Sequence, residues 1–167
     1  AALDPGKHEV ELPGGERLPY DKLLLATGAS PRTLPVPGAD ADGVLYLRTQ
    51  EDSDAIRAAF GEGKRLVIIG AGWIGLEVAA AARAAGTDVT VIEMAELPLL
   101  AVLGPEIAQV FADLHREHGV DLRLGTTLSE ITTANGAVTG VRLGDGSTVA
   151  ADAVVVGVGV APNVQLA

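Results

Sequence analysis

The chain has 167 residues, and 48% of them are hydrophobic, so it is long enough and apolar enough to bury a core. Its formal net charge of −10 argues against non-specific binding to nucleic acid or to an anionic membrane surface, and no apolar run is long enough to span a membrane. It contains no cysteine, which excludes disulfides and thiol chemistry within these residues and favours a cytoplasmic protein.

Two short strands joined by a turn are predicted near the N-terminus. Lys7 to Leu12 alternates between polar and apolar residues, Pro13-Gly14-Gly15 indicates a turn, and Arg17 to Leu25 returns as a strand with an apolar end. Residues 26–47 contain several prolines and glycines, which predicts an irregular connector. This connector is compatible with a plain linker or with a place where a ligand meets the backbone.

A short helix is predicted after the connector. Thr49 is suited to be its N-cap, and Asp52 is placed to complete a capping box. The helix should run to about Phe60, because Gly61 and Gly63 follow it.

The strongest pattern is a strand, a glycine turn and a helix in succession. Leu66 to Ile69 is an unbroken apolar run that is long enough for a buried strand and too short for a helix. Gly70, Gly72 and Gly75 follow in the G-x-G-x-x-G spacing, and a helical stretch then continues to Ala85.

Each glycine has a physical role in this arrangement. Gly70 permits a tight turn out of the strand, Gly72 lets a diphosphate approach the backbone, and Gly75 allows the helix to pack closely on the strand. The free N–H groups and the positive end of the helix would then face the phosphates. The spacing therefore predicts dinucleotide binding, and the alternative is a glycine-rich turn that binds no ligand.

An acidic residue follows the next predicted strand, Asp88 to Ile92. Glu93 can accept hydrogen bonds from the ribose hydroxyls of an adenosine, and it would repel a 2′-phosphate. No Lys or Arg lies between Arg83 and Arg116 to bind such a phosphate. We therefore expect NAD(H) to be preferred over NADP(H).

The second half of the chain completes an alternation of helix and strand. An apolar loop, residues 94–104, precedes a helix that is predicted from Pro105 to His118. His115 and His118 lie on this helix, but no third ligand is near in sequence, so a metal site is disfavoured. Five strands follow, and tight turns join the middle three into a meander: Val120 to Leu124, Leu128 to Thr133, Ala137 to Leu143, Thr148 to Ala150 and Ala153 to Val156.

The order of these elements predicts an α/β fold. We expect a Rossmann-like NAD(P)-binding domain with a central parallel sheet, helices on both faces and a three-stranded β-meander crossover. The last buried strand ends in Gly157-Val158-Gly159, and glycines at the carboxyl end of a strand lie where open α/β sheets bind ligands.

Five motifs follow one another in the order found in a known enzyme family. They are Tyr20-Asp21-Lys22-Leu23-Leu24-Leu25-Ala26-Thr27-Gly28, Tyr46-Leu47-Arg48-Thr49, Gly70-Ala71-Gly72-Trp73-Ile74-Gly75-Leu76-Glu77, Leu114-His115-Arg116-Glu117-His118-Gly119-Val120-Asp121 and Gly157-Val158-Gly159-Val160-Ala161-Pro162-Asn163. The chain resembles the FAD-dependent pyridine nucleotide-disulfide oxidoreductases, and within them the ferredoxin, putidaredoxin and rubredoxin reductase branch. The resemblance covers essentially the whole chain.

The resemblance implies that these residues are one part of a longer flavoenzyme. Residues 1–48 would be the end of an FAD domain with a connector, residues 49–160 the NADH-binding Rossmann domain, and residues 161–167 the start of the return to the FAD domain. Such an enzyme passes a hydride from NADH to FAD and then single electrons to a ferredoxin-type iron–sulfur protein. The part present here is expected to be inactive by itself.

The resemblance also implies which residues contact the cofactors. NADH would be bound by Gly70, Gly72, Trp73, Ile74, Gly75, Glu77, Glu93, Gly157, Val158 and Gly159. FAD in the intact protein would be contacted by Ala26, Thr27, Gly28 and Arg48. For Glu77 an alternative is a purely structural carboxylate that is stabilised by the helix N-terminus. No residue is implied to act as an acid, a base or a nucleophile, because the cofactors carry the chemistry.

Two features depart from the family pattern. The loop after Glu93 lacks the arginine that the family usually carries there, and the negative net charge is unsuited to docking an acidic ferredoxin. Two alternatives therefore remain beside a ferredoxin-type reductase. One is the NADH domain of a related flavoenzyme, such as an NADH oxidase or a nitrite reductase subunit, and the other is a stand-alone nucleotide-binding module without turnover.

Overall fold

The computed structural model describes all 167 residues and divides the chain into two compact units. Unit 1 comprises Ala1–Ser30 and Val160–Ala167, and unit 2 comprises Pro31–Gly159. Residues 31–48 belong to the same unit as the glycine turn. The division of the chain at residues 48 and 160 stays a prediction. Which cofactor each unit binds stays a prediction.

Short strands and three helices make up the regular structure. The strands are β1 (Ala2–Asp4), β2 (Glu9–Glu11), β3 (Arg17–Pro19), β4 (Ala29–Pro31), β5 (Val44–Tyr46), β6 (Arg65–Ile69), β7 (Asp88–Ile92), β8 (Asp121–Arg123), β9 (Leu128–Ala134), β10 (Ala137–Leu143), β11 (Thr148–Ala150), β12 (Ala153–Val156) and β13 (Val160–Pro162). The helices are α1 (Gln50–Ala58), α2 (Trp73–Ala84) and α3 (Leu100–Glu117).

Unit 1 contains an antiparallel sheet in the order β1-β2-β3. The strand predicted to continue to Leu25 is wrong, because β3 ends at Pro19 and residues 23–25 have no regular structure. Pro19 has no N–H group with which to extend the ladder, and no strand pairs with the three leucines. Leu24 is accordingly 86% exposed.

The centre of unit 2 is a five-stranded parallel sheet in the order β5-β12-β6-β7-β8. Val156 pairs with Ile69, and Ile69 pairs with Ile92, so the carboxyl ends of β12, β6 and β7 are aligned. From β6 the chain proceeds to β7 and β8 on one side and returns to β12 on the other. The strand order therefore reverses between β6 and β12, which is where open α/β sheets bind ligands.

The two faces of this sheet are covered in different ways. Leu66 and Ile68 pack in a core with residues of α1, α2 and α3, whereas Val67 and Ile69 pack in a core with residues of the antiparallel meander β9-β10-β11. The α/β fold, the parallel sheet and the meander are thus confirmed, but helices cover only one face. The β6 run is apolar on both faces, so its sequence does not tell whether a helix or a second sheet packs on it.

The helix boundaries follow from local chemistry. The capping box at the start of α1 is confirmed, because Asp52 N–H donates to Thr49 Oγ1 at 3.2 Å and Thr49 N–H donates to the Asp52 carboxylate at 2.8 Å. α3 begins at Leu100, earlier than predicted, but Gly104 with φ 74° interrupts it and Pro105 opens its longer part. No helix combines the length and the apolar composition that crossing a bilayer requires.

An ion pair joins the amino ends of β6 and β12. The Arg65 guanidinium donates to the Asp152 carboxylate from Nη2 at 2.7 Å and from Nε at 3.2 Å, and the Arg65 backbone N–H donates to it at 2.9 Å. The hydrogen bond from the Arg65 side chain holds the pKa of the Asp152 carboxyl below its usual range, although partial burial opposes this. This contact links the two neighbouring strands between which the strand order of the parallel sheet reverses.

We expect Asp152→Asn to lower the urea midpoint of unfolding at neutral pH. The folded pKa of Asp152 is lower than the unfolded one, so its ion pair stabilises the fold above the unfolded pKa, and this contribution is lost as pH falls through the folded pKa. The midpoints of wild type and variant should therefore converge between roughly pH 5 and pH 2. Asp54→Asn is the control, since it breaks an exposed pair with Arg57 inside α1. A difference in urea midpoint between wild type and Asp152→Asn that does not change with pH would contradict this explanation.

Candidate functional site

The predicted glycine turn lies at the carboxyl ends of β6 and β12, where the strand order reverses. Gly70 follows β6, and its N–H donates to Ile92 O at 2.8 Å. Gly157 follows β12, and its N–H donates to Ile69 O at 2.8 Å. The structure therefore brings together two glycine segments that are far apart in sequence.

Gly70 and Gly75 occupy positions that no larger residue can take without a shift of the backbone. Gly70 has φ +100°, and a Cβ atom on it would lie 2.6 Å from the Gly157 carbonyl oxygen. A Cβ atom on Gly75 would lie 2.0 Å from the Gly70 carbonyl oxygen. The backbones of Gly70, Gly75 and Gly157 therefore lie in close contact, and this contact allows α2 to pack against the end of β6.

Gly72 differs from these two glycines, because it faces open space. It is the N-cap of α2 with φ −79°, and a Cβ atom on it would meet no atom within 4 Å. Its carbonyl accepts the first helical hydrogen bond, from Leu76 N–H at 3.0 Å, but it has no side chain to cap the N–H groups of the first turn. The first turn of α2 is therefore accessible to an anionic ligand at this point.

Glu93 is held beside the turn by two backbone groups. Its Oε2 atom accepts from Ala71 N–H at 2.7 Å, and its Oε1 atom accepts from Ala95 N–H at 2.9 Å. A carboxylate has about four lone-pair sites, so each oxygen can accept a further hydrogen bond from a ligand hydroxyl. The sequence analysis missed Ala71 and Ala95, because any residue type except proline offers the same N–H group.

The other predicted NADH contacts on α2 point in two directions. Trp73 is 48% exposed and makes an edge-to-face contact with Phe111 of α3, with ring centroids 5.8 Å apart. Ile74 and Glu77 line a groove of about 250 Å³ between α1 and α2, which also contains Arg57. Glu77 is exposed and lies away from Glu93, so the structure does not join these two carboxylates in one cluster.

Val158 and Gly159 extend the second glycine segment. Val158 is 37% exposed, and Gly159, with φ +99°, accepts at its carbonyl oxygen from Arg32 N–H at 3.0 Å. Both residues belong to unit 2, together with the glycine turn and Arg48. Arg48 is exposed, and its backbone N–H donates to Asp52 at the start of α1.

The predicted FAD contacts Ala26, Thr27 and Gly28 belong to unit 1 and are organised by Asn163. Asn163 N–H donates to Gly28 O at 2.9 Å, its side-chain amide donates to Thr27 O at 3.0 Å, and the Thr27 hydroxyl donates to Asn163 O. The sequence analysis included Asn163 only as the last residue of a motif. It did not predict that Asn163 would form hydrogen bonds with the other segment of unit 1.

The chemistry of the site is binding and orientation. The polar groups described here are backbone N–H groups and one carboxylate, and Glu93 accepts at its side chain from Ala71 and Ala95. No group of three or more His, Cys, Asp or Glu side chains is placed to hold a metal ion. Backbone donors beside a carboxylate suit the binding of a ligand that carries both phosphate and hydroxyl groups.

We expect Gly75→Ala to destabilise the fold by roughly 2–3 kcal/mol, because the new methyl group would collide with the Gly70 carbonyl. Gly72→Ala should cost less than about 1 kcal/mol, since its methyl group enters open space and only the N-cap preference is weakened. Urea unfolding followed by circular dichroism measures both. Equal decreases in the free energy of unfolding of the two variants would contradict the geometry of the turn.

Known proteins share this architecture over almost the whole chain. The sequence model of the family described as pyridine nucleotide-disulphide oxidoreductase matches residues 1–167. Rhodocoxin reductase of Rhodococcus erythropolis is 47% identical over 165 residues, which cover 99% of this chain and 39% of that protein.

Solved structures agree with the sequence comparison. A ferredoxin reductase from Rhodopseudomonas palustris superposes with a TM-score of 0.92 at 44% identity, covering 99% of this chain and 41% of that one. Putidaredoxin reductase in its covalent complex with putidaredoxin gives 0.91 at 41% identity, again covering 99% and 41%. The chain thus spans about two fifths of the length of these relatives. It belongs to the pyridine nucleotide-disulphide oxidoreductase family.

Proposed function

We propose that this chain binds NAD(H) at the glycine turn of unit 2 and is the nucleotide-binding part of a longer FAD-dependent oxidoreductase. That enzyme would take a hydride from NADH and pass electrons on to a ferredoxin-type iron–sulfur protein. The observation that carries the proposal is the contrast within the turn. Backbone carbonyl oxygens fill the space where side chains on Gly70 and Gly75 would lie. Gly72, at the start of α2, faces open space instead, and Glu93 lies beside the turn.

The groups around Gly72 fit a dinucleotide. The N–H groups of the first turn of α2 would donate to the diphosphate, which the positive end of the helix also favours. The free lone pairs of Glu93 would accept from the two hydroxyls of the adenosine ribose. Gly157, Val158 and Gly159 end the strand next to β6, which is where the nicotinamide half would lie.

Glu93 also supports a preference for NADH over NADPH. Ala71 and Ala95 fix its carboxylate beside the turn, so a 2′-phosphate on the same ribose would meet a negative charge. The loop that follows, residues 94–104, contains no Lys or Arg that could neutralise such a phosphate.

The FAD part of the proposal rests on unit 1 and on the family. We assign residues 1–48 and 161–167 to the end, connector and return of an FAD domain, and residues 49–160 to the NADH domain. Ala26, Thr27, Gly28 and Arg48 would contact FAD. Asn163 forms hydrogen bonds with Thr27 and Gly28. FAD, when bound, accepts the hydride and releases electrons one at a time. The relatives named as ferredoxin-type reductases support this assignment.

The charge of the chain bears on the partner and on the location. A net charge of −10 is unsuited to docking an acidic iron–sulfur protein, so we assign the docking face to the rest of the enzyme. We also propose a cytoplasmic location, which the absence of cysteine supports.

NADH binding is the direct test of the proposal. Trp73 is the only tryptophan and lies at the first helical position after Gly72, so its fluorescence should fall as NADH is added. Gly72→Ala should raise the dissociation constant of NADH at least about tenfold while leaving the fold intact, because its methyl group would occupy the space of the diphosphate. Unchanged fluorescence of the wild type in millimolar NADH would reject the binding site.

The choice between the two nicotinamide cofactors tests Glu93. Glu93→Gln removes the charge but keeps the shape of the side chain, so it should narrow the preference for NADH over NADPH by roughly tenfold. Glu96→Gln is the matched control, because Glu96 is an exposed acid in the same loop. Calorimetric titration with both cofactors measures the ratio. A wild type that binds NADPH more tightly would overturn the assignment.

The electron acceptor is tested in the complete protein. With FAD loaded, NADH-driven reduction of a ferredoxin-type protein supports the reductase, whereas consumption of oxygen alone indicates an NADH oxidase. A protein that binds NADH but reduces neither flavin nor acceptor would be a nucleotide-binding module without turnover.

A further inference from the structure

A buried histidine connects α3 to the first turn of α2. His115 is only 8% exposed, and its Nε2 atom lies 3.3 Å from the carbonyl oxygen of Leu76. Its Nδ1 atom lies 2.9 Å from the carbonyl oxygen of Phe111, one turn earlier on α3. Both ring nitrogens therefore face carbonyl oxygens, which can only accept hydrogen bonds.

The number of protons on the ring decides how many of these contacts are favourable. A neutral imidazole carries one N–H group, so one of the two nitrogens would turn a lone pair toward a carbonyl oxygen. An imidazolium carries two N–H groups and satisfies both carbonyls. The tautomer that carries its proton on Nε2 donates to Leu76 O, while Nδ1 faces Phe111 O.

Leu76 belongs to the turn that presents the binding site. Its N–H closes the first helical hydrogen bond on Gly72 O at 3.0 Å, and its carbonyl is the group that His115 contacts. Phe111 touches the same turn through the edge-to-face contact with Trp73. α3 thus contacts the first turn of α2 at Trp73 and at Leu76, on either side of Gly75.

We propose that His115 is a positioning residue for the dinucleotide site, because its Nε2 hydrogen bond to Leu76 O holds the first turn of α2 in the orientation that aims its N–H groups at the diphosphate. This proposal rests on the proposed NADH site and adds a residue that would touch neither cofactor.

The charged and titratable groups around the ring are few. Arg83 of α2 and His118 of α3 line the same cavity of about 380 Å³. The Arg83 guanidinium is held by the carbonyl oxygens of Thr87 and His118 and by the Asp88 carboxylate.

Three variants separate positioning from general stability. His115→Leu fills the site but removes the donor, His115→Gln keeps an amide donor that can reach Leu76 O, and His118→Leu is the matched control. His118 is exposed, and its Nδ1 contacts only Leu114 O of its own helix. Calorimetry gives the NADH dissociation constant of each, and urea unfolding gives its stability.

We expect His115→Leu to weaken NADH binding about tenfold, the effect of one lost hydrogen bond, and His115→Gln to restore it to within about twofold of wild type. His118→Leu should bind as wild type does.

Other outcomes overturn the proposal. Equal affinity of wild type and His115→Leu, or equal losses in His115→Leu and His115→Gln, contradicts a positioning role, while absence of NADH binding by the wild type contradicts the proposed function instead. If His115→Leu does not fold, His115→Gln decides, and a loss of NADH affinity well beyond twofold at unchanged stability rejects the role of the Nε2 donor.

Discussion

Three backbone segments meet within van der Waals distance at the carboxyl end of the parallel sheet, and the site depends on that approach. The Gly70 carbonyl lies where a Cβ atom on Gly75 would be, and the Gly157 carbonyl lies where one on Gly70 would be. Only a chain without side chains at Gly70 and Gly75 can bring β6, α2 and the end of β12 so close together. Because that space is used up, Gly72 is left as the open position at the start of the helix.

The acidic residue is part of the same construction. Glu93 accepts from Ala71 within the glycine turn, and Leu99 N–H donates to the Ala71 carbonyl at 3.1 Å, so both sides of this residue tie the turn to the segment after β7. A change in the turn would therefore move the carboxylate, and a change in the loop would move the turn. At the proposed site, affinity for a diphosphate and discrimination at the ribose would consequently not be independent of one another.

How much the sequence predicts depends on whether side chains or the backbone carry the information. β7, β10, β11 and β12 have the bounds predicted, because apolar runs and hairpin turns mark them. The leucines at 23–25 were misassigned, because an apolar run specifies a strand only where a partner exists. The N–H groups that hold Glu93 and the carbonyl that faces His115 could not be predicted, because almost every residue type carries the same backbone groups. The sequence likewise did not predict that the meander covers one face of the parallel sheet, since a buried strand is apolar on both faces whichever element packs on it.

Unit 1 is discontinuous in sequence, and this has a consequence for synthesis. Its first segment ends at Ser30, but Asn163, which clasps Thr27 and Gly28, belongs to the segment that begins at Val160. Unit 2 is continuous in sequence, and the ribosome synthesises all of it between these two segments of unit 1. The parallel sheet of unit 2 can therefore form before Asn163 is available to hydrogen-bond to residues 1–30, so the order of translation favours folding of unit 2 before the two segments of unit 1 come together.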